Sequence, residues 1–165
     1  MGLQALTIEA IAARAGVGKQ TIYRWWASKT DVLLDAFVDD ALSEIDPQDS
    51  GNLEKDLRRH LTNLSKFLTQ SDAGAVFKAL IGQAQNDPQL AEKIRVRFTA
   101  SQRQADCLPI VKAIERGDLP RKTDVDAIVD SLVGPIYYRV LVSGAPLTPA
   151  FIKSIVEHFL ASIKT

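Results

Sequence analysis

Leu6-Thr7-Ile8-Glu9-Ala10-Ile11-Ala12-Ala13-Arg14-Ala15-Gly16-Val17-Gly18-Lys19-Gln20-Thr21-Ile22-Tyr23-Arg24-Trp25-Trp26 is the stretch that decides the fold. Thr7 is suited to cap a short helix that carries Ile8, Ile11, Ala12 and Ala15 on one face, with Glu9 in its first turn and Gly16 where it should end. After Gly16-Val17-Gly18, a second short helix from Lys19 to Trp26 turns Ile22 and Trp26 inward at i, i+4 and leaves Gln20, Thr21 and Arg24 outside. Two short helices cross steeply only if the turn is tight and the supporting helix is small enough for close approach. Gly16 and the alanines meet both conditions, and the segment reads as a helix-turn-helix, with Ile11, Val17, Ile22 and Trp26 as its packing residues.

Outward from this unit the spacing stays helical, and the chain is predicted to be all-α. Ser28-Lys29-Thr30-Asp31 has the form of a capping box opening a helix from Lys29 to about Ile45, with Asp in place of the usual Glu or Gln. Asp46-Pro47-Gln48-Asp49-Ser50-Gly51 is the predicted boundary between a module over residues 1–46 and a domain over 51–165. In the second part, Leu53, Leu57, Leu61, Leu64 and Leu68 mark one helix, and Ser71-Asp72 opens another through Leu80 and Ile81. Pro88 starts a long helix to about Arg116, with a break or kink expected near Pro109. Gly117 to Lys122 reads as a turn, Asp124 to Ser143 as a helix invited to bend at Gly134-Pro135, and Pro149 to Ile163 as the last helix.

Lys plus Arg equal Asp plus Glu at 20 each, so net charge points to no partner; its distribution does. Thr7 to Thr30 holds Glu9 against Arg14, Lys19, Arg24 and Lys29, and can face phosphate. Asp31 to Glu44 holds Asp31, Asp35, Asp39, Asp40 and Glu44 with no cation, and cannot. The single cysteine, Cys107, excludes an intramolecular disulfide and any multi-cysteine metal site. The start of the chain lacks a basic and apolar leader pattern and no apolar run reaches membrane-spanning length, so a cytoplasmic location without membrane contact is expected. His60 and His158 stand apart from metal-like spacings, and no nucleophile triad, phosphate loop or paired-carboxylate pattern is legible; no catalytic residue, metal or cofactor is expected.

The Leu6–Trp26 stretch resembles the helix-turn-helix of the tetracycline-repressor (TetR) family almost residue for residue. That resemblance implies a transcription regulator binding double-stranded DNA, with Lys19 and Gln20 contacting bases, and Thr21, Tyr23, Trp25, Lys29 and Thr7 contacting the backbone. Arg24 offers a further donor on the same face. For Trp25, packing on the following helix is the alternative to a phosphate contact. The family places an amphipathic helix before the position of Thr7, where this sequence has six residues. Loss of that helix is expected to leave Ile8, Ile11, Ile22 and Trp26 partly uncovered and DNA binding weak until upstream residues are restored. The alternative reading is a ligand-binding or dimerising helical protein whose reader is disabled in this way.

Residues beyond about Gly51, most visibly Asp124 to Arg139, resemble the regulatory domain of one TetR branch. The implied partners are a second copy of the chain and a small-molecule effector. The apolar excess of the last two helices suggests a homodimer seam through Ile128, Leu132, Ile136, Ile152, Ile155, Val156 and Phe159. Candidate effector-pocket residues are Phe67, Phe77, Leu80, Ile81, Phe98, Cys107, Ile110, Tyr137 and Tyr138, each of which plain core packing would also explain.

Overall fold

The computed structural model describes residues 7–43 and 48–163, and all regular structure among them is helical. In chain order the helices are α1 (Ile8–Ala15), α2 (Lys19–Trp25), α3 (Lys29–Ser43), α4 (Leu53–Gln70), α5 (Asp72–Ala84), α6 (Pro88–Ile94), α7 (Ala100–Arg116), α8 (Val125–Tyr138) and α9 (Pro149–Ser162). Two wider π turns, Arg95–Thr99 and Arg139–Ser143, join α6 to α7 and extend α8. The expected end of the third helix at Ile45 and the Asp46-Pro47 start of the boundary segment lie outside the described residues.

Helix starts follow local chemistry. The first turn has amide groups without intrahelical partners, and short polar side chains meet them. Asn52 accepts from the Lys55 amide, Ser71 from Gly74, Asp87 from Leu90, Asp124 from Ala127 and Thr148 from Phe151. Pro88 and Pro149 stand in the first turns of α6 and α9, where a missing N–H costs no helical bond. Ser28 fulfils its capping role: its hydroxyl oxygen accepts from the Asp31 amide at 3.2 Å and the hydroxyl donates to the Asp31 carboxylate at 2.8 Å.

The expected interruption of the helix near Pro109 does not occur. α7 runs unbroken through Pro109, which is buried in it; the lost donor is one bond in a helix of 17 residues. The irregularity lies earlier, where the Ala100 amide reaches five residues back to the Arg95 carbonyl. Likewise α8 continues through Gly134-Pro135 to Tyr138, and the widened turn follows, closed by the Gly144 amide on the Arg139 carbonyl at 2.9 Å.

α4 forms the centre of the main core. Its Leu57, Leu61, Leu64 and Leu68 pack with Leu34 and Phe37 of α3, Leu80 of α5, Ile110 of α7, Val129 and Ile136 of α8 and Val156 of α9. A smaller cluster joins Ile8 and Ala12 of α1 to Ile22 of α2, with Ile11, Trp26 and Val32 packed against it. Helix α3 belongs to both clusters, through Val32 in one and Leu34 and Phe37 in the other. Among the described residues no helix is long and apolar enough to cross a membrane.

Candidate nucleic-acid interface

The reader is held by a few specific contacts. The Thr7 hydroxyl oxygen accepts from the Ala10 amide at 3.1 Å and starts α1. At its other end Gly16 is left-handed at φ 67°, the Gly16 amide bonds Ala13 O at 3.3 Å, and the Val17 amide bonds Ala12 O at 3.0 Å. This pair of bonds is the Schellman closure, and it favours glycine because a Cβ is strained at positive φ. Ile8 and Ile22 are each only 6 % exposed, contrary to the expectation that they stand partly uncovered, because Ala12 permits close approach and Val32 packs against the pair, whereas Ile11 and Trp26 are half-buried as expected. Burying Ile22 stabilises α2 on its support by roughly 1.5–3 kcal/mol. Val17, expected in this packing, is instead 40 % exposed, because it sits beyond the Schellman glycine on the outside of the turn.

With Ile22 inward, α2 turns Lys19, Gln20, Thr21, Tyr23, Arg24 and Trp25 to solvent. Trp25 is 72 % exposed and does not pack on α3, so its indole N–H is available to an acceptor. The Lys19 ammonium pairs with Glu9 and lies 5.7 Å from the centre of the Tyr23 ring. The hydrogen bond between Lys19 and Glu9 holds the carboxyl pKa below its ordinary value and raises that of the amine, so both are charged at neutral pH. Lys29 is half-buried at the start of α3, and Thr7 is exposed at the start of α1. The DNA-contact candidates Thr7, Lys19, Gln20, Thr21, Tyr23, Arg24, Trp25 and Lys29 thus all belong to the α1–α3 module.

The sequence reading missed how this unit is fastened to the rest. Trp26, just past α2, donates its indole N–H to Asp35 Oδ2 at 2.6 Å, and Asp35 Oδ1 pairs with Arg97 of the first π turn. One helical turn earlier, Asp31 Oδ2 accepts from the Ser28 hydroxyl and Asp31 Oδ1 meets Lys93 of α6 at 2.5 Å. Burial works to raise both aspartate pKa values, but the hydrogen bonds from Lys93 and Ser28, and from Arg97 and Trp26, outweigh it and leave both lowered. The available signal was an acidic run on α3 with no cation of its own.

The effector-pocket candidates fall into two groups. Phe67, Phe77, Phe98 and Tyr137 join Phe37 in one aromatic cluster, with ring centres 4.7 Å apart for Phe37 and Phe98 and 6.2 Å for Phe77 and Tyr137. Leu80 and Ile110 are buried and Ile81 and Cys107 half-buried in the same core, whereas Tyr138 is 59 % exposed and lies outside the set. A buried polar group adjoins it: His60 Nε2 is 2.7 Å from Asp106 Oδ1, which also accepts from Gln102 Nε2 at 2.8 Å. His60, isolated in the sequence, thus has a partner from α7. Burial, and then the Asp106 charge, push the Tyr137 hydroxyl pKa well above its ordinary value; burial also raises that of the Cys107 thiol, against the pull of Arg103. Among the described residues no group of three or more His, Cys, Asp or Glu side chains is placed to hold a metal ion.

The outer face of α8 and α9 carries an open apolar groove of about 400 Å³, lined by Leu132, Pro135, Phe151, Ile155, His158 and Phe159 with Ser131, Ser154 and Ser162. Of the seam candidates, Leu132, Ile155 and Phe159 line it, although Leu132 and Phe159 are only 2 % and 8 % exposed and also belong to the chain's own core. Ile136, Ile152 and Val156 are 0–4 % exposed inside the chain's own core, and Ile128 packs against that core.

A DNA-reading helix-turn-helix fastened to an all-helical domain with an open apolar face is the build of a DNA-binding transcription regulator. The family description "Bacterial regulatory proteins, tetR family" matches residues 1–36, and "Tetracyclin repressor-like, C-terminal domain" matches residues 47–159. The chain belongs to the TetR family. It is 39 % identical over 164 residues to the uncharacterised HTH-type transcriptional regulator YdeS of Bacillus subtilis, covering 99 % of this chain and 82 % of the relative. The DNA-binding transcriptional repressor TetR of Mycobacteroides abscessus is 28 % identical over 160 residues, which is 96 % of this chain and 83 % of the relative. The crystal structure of the TetR family transcription regulator SCO0332 superposes with a TM-score of 0.83 at 31 % identity, covering 96 % of this chain and 87 % of that one. The flavonoid-responsive regulator FrrA shares the fold, with a TM-score of 0.68 at 21 % identity over 99 % of this chain and 87 % of that one.

Proposed function

We propose that the chain is a ligand-responsive cytoplasmic repressor that acts as a homodimer on a palindromic operator, with residues 1–46 reading DNA and residues 51–165 pairing the copies and binding the effector. The observation that carries this reading is α2 itself: a short helix pinned by buried Ile22, with polar, cationic and aromatic side chains on its outer face. A helix so held can enter the major groove, with Lys19 and Gln20 on base edges and Thr21, Tyr23, Trp25, Thr7 and Lys29 on phosphates. One reader contacts too few base pairs for useful specificity, so two must be spaced about 34–36 Å apart to meet successive grooves. The groove between α8 and α9 supports that pairing: it is apolar, open and remote in sequence from the reader. The aromatic cluster supports a small, largely apolar effector, with the His60, Gln102 and Asp106 group offering one polar contact.

Selection of bound fragments from random duplex DNA, by the chain and by a version extended upstream of Met1, with the mass of each measured in parallel, tests the reading. A palindromic consensus and a dimer are expected of the extended version. A monomer, or no preference for any duplex over competitor, in that version overturns it.

A further inference from the structure

The acidic run of α3 has no place on a DNA-facing surface, and the structure shows where two of its members go. Asp31 and Asp35 stand one turn apart on α3; Lys93 and Arg97 stand opposite them at the same spacing, across α6 and the first π turn. The result is a ladder of two rungs. In each rung one carboxylate oxygen takes the cation, and the other takes a group between the reader and α3: the hydroxyl of Ser28, the cap of α3, at 2.8 Å for Asp31, and the indole N–H of Trp26, the residue that ends α2, at 2.6 Å for Asp35. From these contacts we infer that Asp31 and Asp35 are positioning residues for the DNA reader, transmitting the placement of Lys93 and Arg97 to the end of the recognition helix. The inference rests on the DNA-reading role proposed above.

Three features distinguish the rungs from ordinary surface pairs, which contribute roughly 0–1 kcal/mol and fix little. Both oxygens of each carboxylate are engaged, an arrangement for which an amide, with one acceptor, is unsuited. Trp26 is held at both ends: its backbone amide bonds Ile22 O at 3.0 Å, and Ile22 is buried, so a shift of its indole bears on α2. Arg97 is also the neighbour of Phe98, which is 2 % exposed with its ring 4.7 Å from that of Phe37, two residues past Asp35 on α3. The same two elements therefore meet through a packed aromatic contact inside and a charged one outside. Gln83 of α5 adds a third tie, donating to the Thr30 hydroxyl at 3.3 Å.

The test uses the full chain and Arg97→Gln, an exposed substitution that leaves the core untouched. The chain has 2 tryptophans, so a ¹⁵N spectrum shows two indole N–H signals. Arg97→Gln is expected to move the Trp26 indole signal and speed its hydrogen exchange, while the exposed Trp25 signal serves as control and stays in place. Binding to the selected operator should weaken about five- to tenfold with the salt slope unchanged, because no phosphate contact is lost. Arg97→Lys should recover most of that loss. Trp26→Phe should weaken binding similarly, and the double variant should bind no worse than the weaker single, since both act through Asp35. A loss that merely reflected instability would instead follow the melting temperature and show no such sharing. An unmoved Trp26 signal, additive losses, or a salt slope reduced by about one overturns the inference while the DNA-reading role stands. A wild-type chain extended upstream of Met1 that still selects no duplex overturns the DNA-reading role, and the positioning role with it.

Discussion

Gly74→Ala gives a demanding check on the packing of the C-terminal helices. A Cβ at Gly74 would lie 2.0 Å from the Phe67 carbonyl oxygen, 2.9 Å from its carbon and 3.0 Å from Leu68 Cα, all backbone atoms at the corner where α4 meets α5. Restoring a C···O contact of about 3.3 Å requires a retreat of roughly 1.3 Å. That retreat strains the bonds to the same carbonyl from the Ser71 hydroxyl at 2.8 Å and the Ser71 amide at 3.4 Å. Overpacking of this kind costs about 1–3 kcal/mol, each of the two weakened bonds adds about 1 kcal/mol, and the better helix propensity of Ala returns about 1 kcal/mol. The net loss is about 2–4 kcal/mol, or a fall in Tm of roughly 5–15 °C for a chain of this size. Gly82→Ala on the same helix is the control: nothing lies within 4 Å of its Cβ, and it should gain up to about 1 kcal/mol. Calorimetry of both variants decides the matter. If Gly74→Ala melts within a degree or two of the parent while Gly82→Ala rises, the corner yields freely and the reasoning is wrong.

Three further outcomes are expected. Gln20→Ala should cost about 1–3 kcal/mol in operator binding and relax preference at one base-pair position, whereas Lys29→Ala should weaken all sequences alike and reduce the salt slope by about one; titrations at several salt concentrations separate them. Charges placed in the α8/α9 groove at its exposed serines, Ser131→Arg with Ser154→Arg, should yield a folded monomer by light scattering that no longer binds operator; a dimer with normal affinity refutes the seam. Because Asp31 and Asp35 have pKa values lowered from the ordinary 3.8 in the folded chain, their contribution is present in full above the unfolded value and lost as pH falls through the folded values. Melting followed from pH 5 to about 2.5 should therefore drop less steeply in Asp35→Asn than in the parent, and parallel curves would contradict the rung.

Local chemistry was the legible part of this chain. Thr7, Ser28, Ser71 and Pro88 announced their helix starts, and Gly16 its end, because caps and left-handed turns depend on neighbours within a few residues. Pro109 misled because a proline marks a weak point without showing whether the surrounding packing holds the helix together, and the true irregularity at Arg95–Thr99 has no distinctive composition. Periodicity also could not divide the apolar stripes of α8 and α9 between two neighbours. Ile136, Ile152 and Val156 serve the chain's own core, and Ile155 also lines the open groove, yet all four read alike in sequence. The rungs to Lys93 and Arg97 span 62 residues each, and only the fold brings their partners together.

The turn at Arg95–Thr99 holds one residue more than a regular helical turn, so every side chain from Ala100 onward points about 100° away from where an unbroken helix would carry it. This phase change lets one continuous rod address two different walls: Lys93 and Arg97 look toward α3, while Gln102 and Asp106 look toward His60 on α4. Shortening the rod by a single residue there would make a more regular helix and leave one of the two faces turned away from its partner. Variation in this stretch should accordingly be tolerated in kind more readily than in number.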